Sequence, residues 1–168
     1  DCNDELGIVC EIPSSLLKAS EKESIVSIHQ YINELAVLEG HLLAIVIPVV
    51  EVNPALEAWL NEIDIQVPVC VELDRLATDD DVKAIQKICK ERCWPLVWHG
   101  EPDSAGLGYG DIAICRINGE GFDLRQLREV IETMLKQTKL EQTSIMIIDG
   151  TPPDVTTIRN ANVILDLF

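Results

Sequence analysis

LLAIVIPVVEVNPALEAWLNEIDIQVPVCVEL, residues 42–73, is the stretch that decides the fold. Leu42 to Val50 is an unbroken apolar run, and Val67 to Leu73 is a second one rich in β-branched residues. A strand with one wet face alternates apolar and polar residues. Runs without alternation mark strands covered on both faces, as in a parallel sheet between helices. Between the two runs, Asn53-Pro54 offers a cap followed by Pro at the first helical position, so a helix is expected to about Ile63. The stretch therefore reads strand-helix-strand, the repeating unit of a parallel α/β sheet.

The same rhythm extends in both directions. Leu6 to Ile12 reads as a first strand stopped by Pro13, and Ser20 with Glu23 forms a capping-box pattern. Ile25, Ile28, Ile32 and Leu35 then recur at helical spacing until Gly40. On the other side, Thr78 caps a helix whose first turn holds Asp79, Asp80 and Asp81 and whose far end holds Lys87, Lys90 and Arg92, the polarity a helix dipole favours. Pro95 to Trp98 reads as a fourth strand, which would place Trp94 and Trp98 on one side. Asp111 to Ile117 is a fifth, closed by Asn118-Gly119, and Leu124 to Leu135 is a helix. Ser144 to Ile148 is a sixth strand, ending at Asp149-Gly150. A short helix near residues 154–160 and a strand from Val163 follow. The expectation is a single α/β domain over residues 1–168, a three-layer sandwich on a mostly parallel sheet of about six strands.

Of the 168 residues, 47% are hydrophobic and 25% charged, which suits a chain that buries a core. Thirteen Lys and Arg against 29 Asp and Glu give a net charge of −16, a field that repels phosphate backbones and anionic lipid, so neither nucleic acid nor membrane is an expected partner. No apolar run has the length of a membrane span. Cys10, Cys70 and Cys115 lie inside apolar strand-like runs, where a thiol behaves as a small hydrophobe. Reduced thiols and a cytoplasmic setting are therefore expected for the six cysteines, with disulfides as the alternative. The chain starts at Asp1 rather than Met, which suggests processing or a longer parent.

Sites in parallel α/β sheets form at the carboxyl ends of strands, here Glu51, Asp74, His99-Gly100 and Asp149-Gly150. His99 is the titratable group among them suited to acid-base work near neutrality. Cys115, in the neighbouring strand, is the nearest candidate nucleophile, although its flanks Ile112 and Ile114 suggest core packing. Cys89 and Cys93, four apart on a helix, lack the second ligand pair that zinc sites use, so no metal is expected. Gly106-Leu107-Gly108-Tyr109-Gly110 is followed by a strand rather than a helix, so no dinucleotide cofactor is expected either.

Residues 42–168 carry a resemblance. Leu76-Ala77-Thr78 precedes a helix, then come Trp94-Pro95-Leu96-Val97-Trp98-His99-Gly100, Asp111-Ile112-Ala113-Ile114, the Asn118-Gly119 turn, the Leu124-to-Leu135 helix and Ser144-Ile145-Met146-Ile147-Ile148-Asp149. Ala161-Asn162-Val163-Ile164-Leu165 closes the series. In this order they resemble the caspase-like clan, and within it the CHAT domains. The resemblance implies a caspase-like strand order, with a flavodoxin-like order as the alternative, and a His-Cys dyad. It places the nucleophile near Gly150, 51 residues beyond His99, and glycine has none to offer. The leading expectation is thus a caspase-like pseudoenzyme that binds or regulates a protein partner. A cysteine peptidase using His99 as base is the second reading, with Cys115 as the candidate nucleophile. An unrelated α/β interaction domain is the third.

Overall fold

A computed structural model describes residues 7–17, 21–38, 40–100, 109–118, 123–137, 143–149 and 159. The chain is α/β, and among the described residues the strands pair in parallel. It divides into two compact units, Asp1–Trp94 and Pro95–Phe168. Among the described residues the strands form one three-stranded and one two-stranded sheet.

The first unit contains β1 (Ile8–Glu11), α1 (Ser14–Leu17), α2 (Glu21–Leu35), β2 (Leu42–Val49), α3 (Pro54–Glu62), β3 (Val69–Leu73) and α4 (Asp79–Arg92), with the sheet order β1-β2-β3. The middle strand is the apolar run that opened the reading. Ala44, Ile45, Val46, Ile47 and Val49 are buried, so both of its faces are covered, as the lack of alternation requires. Pro48 sits in this strand because its nitrogen needs no partner there. Ile12 N donates to Val46 O at 2.9 Å, and Asp74 N donates to Val49 O at 2.8 Å. Even-numbered residues of β2 thus face β1, which stops at Pro13, and Pro48 ends that ladder.

Both predicted helix starts are present. Asn53 Oδ1 accepts from Leu56 N at 2.8 Å, with Pro54 behind the cap. Thr78 and Asp81 form a reciprocal capping box. Asp81 Oδ1 also accepts from Val52 N at 2.9 Å, which ties the loop after β2 to the start of α4. The Thr78 hydroxyl and the Val52 and Thr78 amides together hold the Asp81 carboxyl below its usual range. At the far end Cys93 closes α4 in the left-handed region, φ 56°. Arg92 lies 4.7 Å over the Trp94 ring and donates to the carbonyls of Asn61 and Ile63, which end α3.

The second unit contains β4 (Ile112–Asn118), α5 (Leu124–Gln137) and β5 (Thr143–Asp149). Residues 112–118 of β4 pair in register with residues 143–149 of β5. Ala113, Cys115 and Ile117 on one face of β4 pack with Leu127, Val130, Ile131 and Met134 of α5, and Trp98 joins them. The larger aliphatic side chains in this cluster, Ile117, Leu127, Val130, Ile131 and Met134, contribute roughly 1.5–3 kcal/mol each.

About six strands in one sheet are not shown. Three expectations need correction. Pro95–Trp98 is not a full strand: Pro95 has no N–H to give, and Leu96 and Trp98 are isolated bridge residues, Trp98 pairing in parallel with Cys115. Trp94 does not share a strand with Trp98, since its N–H donates to Cys89 O at 2.9 Å within the closing turn of α4. A short helix, α1, follows Pro13, where only a stop was read. Ser20, Gly106, Gly108, Gly119, Gly150 and the strand expected from Val163 lie outside the described residues, as does the 154–160 helix apart from Arg159, which is helical.

Candidate functional site

The setting of His99 follows from two hydrogen bonds. Trp98 N donates to Ile114 O at 2.9 Å, and Arg116 N donates to Trp98 O at 2.7 Å. Trp98 is therefore level with Cys115, and bridge partners in a parallel pair point to the same face. That face is the α5 core, where the Trp98 side chain is 2% exposed. Two residues on, a Cβ built at Gly100 would meet Ile117 Cγ2 at 3.4 Å and Val130 Cγ2 at 3.6 Å, which is the same face again. His99, between them, leaves the opposite face.

Arg116 lies between Cys115 and Ile117, so it shares the face of His99. Its Nε stands 3.4 Å from Asp149 Oδ2 at the end of β5. His99 has a buried Nε2, and toward the carboxyl ends of β4 and β5 Arg116 and Asp149 form an ion pair. Gly100 has φ +82°, a conformation that suits glycine and sets the direction of the chain after His99.

The structure does not bring His99 and Cys115 together. Their side chains leave opposite faces of the sheet. Burial pushes the Cys115 thiol up to about 12, the reverse of what a thiolate nucleophile needs. β5 is also separated from the His99 segment. Ile114 and Arg116 turn their backbone groups toward Trp98, while Asp111 O accepts from Thr143 N at 2.9 Å on the other edge of β4. Two strand spacings, about 10 Å, therefore lie between the His99 segment and β5, the strand that leads to Gly150.

Sequence reasoning missed Arg116. Its signal was a single cation inside the apolar run Ile112-Ala113-Ile114-Cys115-Arg116-Ile117, two residues short of the strand end. In the first unit, Asp74 is taken up locally, its Oδ1 accepting from Leu76 N at 2.8 Å, while Glu51 is exposed beside a cavity. Cys70 and Cys89 are buried, and burial pushes both thiols up to about 12, with Cys89 adding to the shift at Cys70. All five described cysteines are free thiols. Among the described residues no cluster of three His, Cys, Asp or Glu side chains could hold a metal ion. No described helix is long and apolar enough to cross a membrane. No family model, curated protein or solved structure matches the chain.

Proposed function

We propose that this chain is a non-catalytic α/β module that acts by binding a protein partner, with His99 in a structural or contact role. One observation carries the reading: His99 and its nearest candidate nucleophile, Cys115, leave opposite faces of the sheet. The resemblance to caspase-like domains fits this reading as a degenerate member, with Gly150 in the nucleophile's place. A net charge of −16 favours a basic partner, and free thiols suit the reducing cytoplasm.

The test is labelling of the intact folded protein with a peptide chloromethyl ketone, read by peptide mass spectrometry in the native chain and in His99→Ala. The expected result is slow adduct formation at exposed thiols such as Cys93, at the same rate in both proteins. A fast adduct at one cysteine that disappears in His99→Ala would establish the peptidase instead.

A further inference from the structure

A cavity of about 300 Å³ opens at the carboxyl ends of β1 and β2, within the first unit. It opens where the β1–β2 ladder stops, since Pro13 ends one strand and Pro48 offers no N–H to continue the pairing. Leu17, Pro48, Val49, Val50 and Leu56 form its apolar wall, and Ser14, Glu51 and Asn53 supply the polar groups. The size is at the lower end for a small-molecule site, and strand carboxyl ends are where α/β sheets take ligands.

Hydrogen-bond accounting decides the sign of the ligand. A helix N-terminus at such a place ordinarily offers N–H groups to an anion. Here the start of α3 has few left. Pro54 has no N–H, Leu56 N donates to Asn53 Oδ1 at 2.8 Å, Glu57 N donates to Asn53 O at 3.0 Å, and Val52 N donates to Asp81. The Asn53 carbonyl oxygen is likewise occupied by its capping bond. What remains toward the cavity is the Glu51 carboxylate, the Ser14 hydroxyl and the Asn53 side-chain N–H groups, and no Lys, Arg or His is among the described residues that line it. Glu51 is the one charged side chain among the described lining residues, on a chain whose overall field is also negative.

We propose that this cavity binds a small aliphatic ammonium group, its charge on Glu51 and Ser14 and its hydrocarbon against Leu17, Val50 and Leu56. The site is independent of His99 and of the reading proposed for it. Backbone and methyl NMR titrations of the full chain with hexylamine, hexanol and hexanoate test the assignment. Saturable shifts are expected at Ser14, Val49, Val50, Glu51 and Leu56, with hexylamine binding about tenfold tighter than hexanoate, from attraction in one case and repulsion in the other. Glu51→Gln, an exposed position at which the fold is kept, should weaken hexylamine about fivefold, to the level of hexanol. Ser14→Ala should weaken it less. Shifts that do not saturate, shifts spread over the acidic surface, hexanoate binding as tightly as the amine, or an unchanged affinity in Glu51→Gln would each overturn the proposal.

Discussion

Replacing Cys115 by alanine and by serine separates a core thiol from a poised nucleophile. Cys115 is fully buried, against Trp98, Leu127, Val130, Ile131 and Met134. Alanine removes one heavy atom from this packing, a loss comparable to a single methylene, or about 1 kcal/mol. Serine keeps the shape but puts a hydroxyl into an apolar surround, which costs roughly 1–3 kcal/mol when no partner is available. Partners are scarce, because β4 is already hydrogen-bonded to β5 on one edge and to Trp98 on the other. Serine should therefore be the more damaging change, by about 1–2 kcal/mol over alanine, or roughly 2–8 °C in melting temperature for a chain of this size. Urea unfolding followed by circular dichroism and by tryptophan fluorescence gives both values. If serine matches the native chain and exceeds alanine in stability, the thiol sits in a polar pocket, and the opposite-face geometry at His99 is wrong.

Alkaline pH should destabilise the fold. The Cys70, Cys89 and Cys115 thiols are raised from 9.0 to about 12, so the unfolded chain releases these protons near pH 9 while the folded chain keeps them. Stability is then full below 9 and falls as pH rises toward 12, by up to about 1.4 kcal/mol per pH unit for each thiol. Urea midpoints at pH 8 and 10 check this, and a flat profile contradicts it. Cys93→Gly should stabilise by about 0.5–1 kcal/mol, because the exposed Cys93 holds φ 56° at the end of α4 and loses no packing, which thermal melts would show. Gly100→Ala should cost about 1 kcal/mol from its φ of +82° rather than from crowding, since the new methyl meets its neighbours at 3.4 Å and beyond. Gly100→Asn, which tolerates that φ better, should be less affected in its backbone and more in its packing against Ile117.

What was legible in the sequence was local. The Asn53-Pro54 and Thr78 caps act within three residues of themselves, and both are present. The apolar runs at Leu42–Val49 and Val69–Leu73 announce burial on both faces, and the buried set agrees. What was not legible depends on partners far along the chain. Pro95–Trp98 has strand composition, but a ladder needs successive N–H and C=O groups facing a neighbour, and only isolated bridges, at Leu96 and Trp98, form. The turn closing α4 passes through a left-handed Cys93, a conformation normally announced by glycine, and Trp94 belongs to that turn and not to a strand with Trp98. The candidate site failed to assemble for the same reason: spacing gives the separation of His99 and Cys115 along the chain, and register alone gives their faces.

That register has a physical lock. A slip of one residue between the Trp98 segment and β4 would turn over the faces of one of them relative to the other, and would set an imidazole beside a thiol. If the Trp98 segment moved, the slip would swing the Trp98 indole out of the pocket formed with Leu127, Val130 and Met134, giving up one of the largest buried side chains in the unit. If β4 moved instead, Arg116 would take the place of Cys115 and carry a guanidinium into that same core, away from Asp149. Burying a cation without its carboxylate costs several kcal/mol, far more than any gain from pairing one thiol with one imidazole. The packing of Trp98 and the charge of Arg116 act together to hold His99 on a face where position 116, and not 115, is its neighbour.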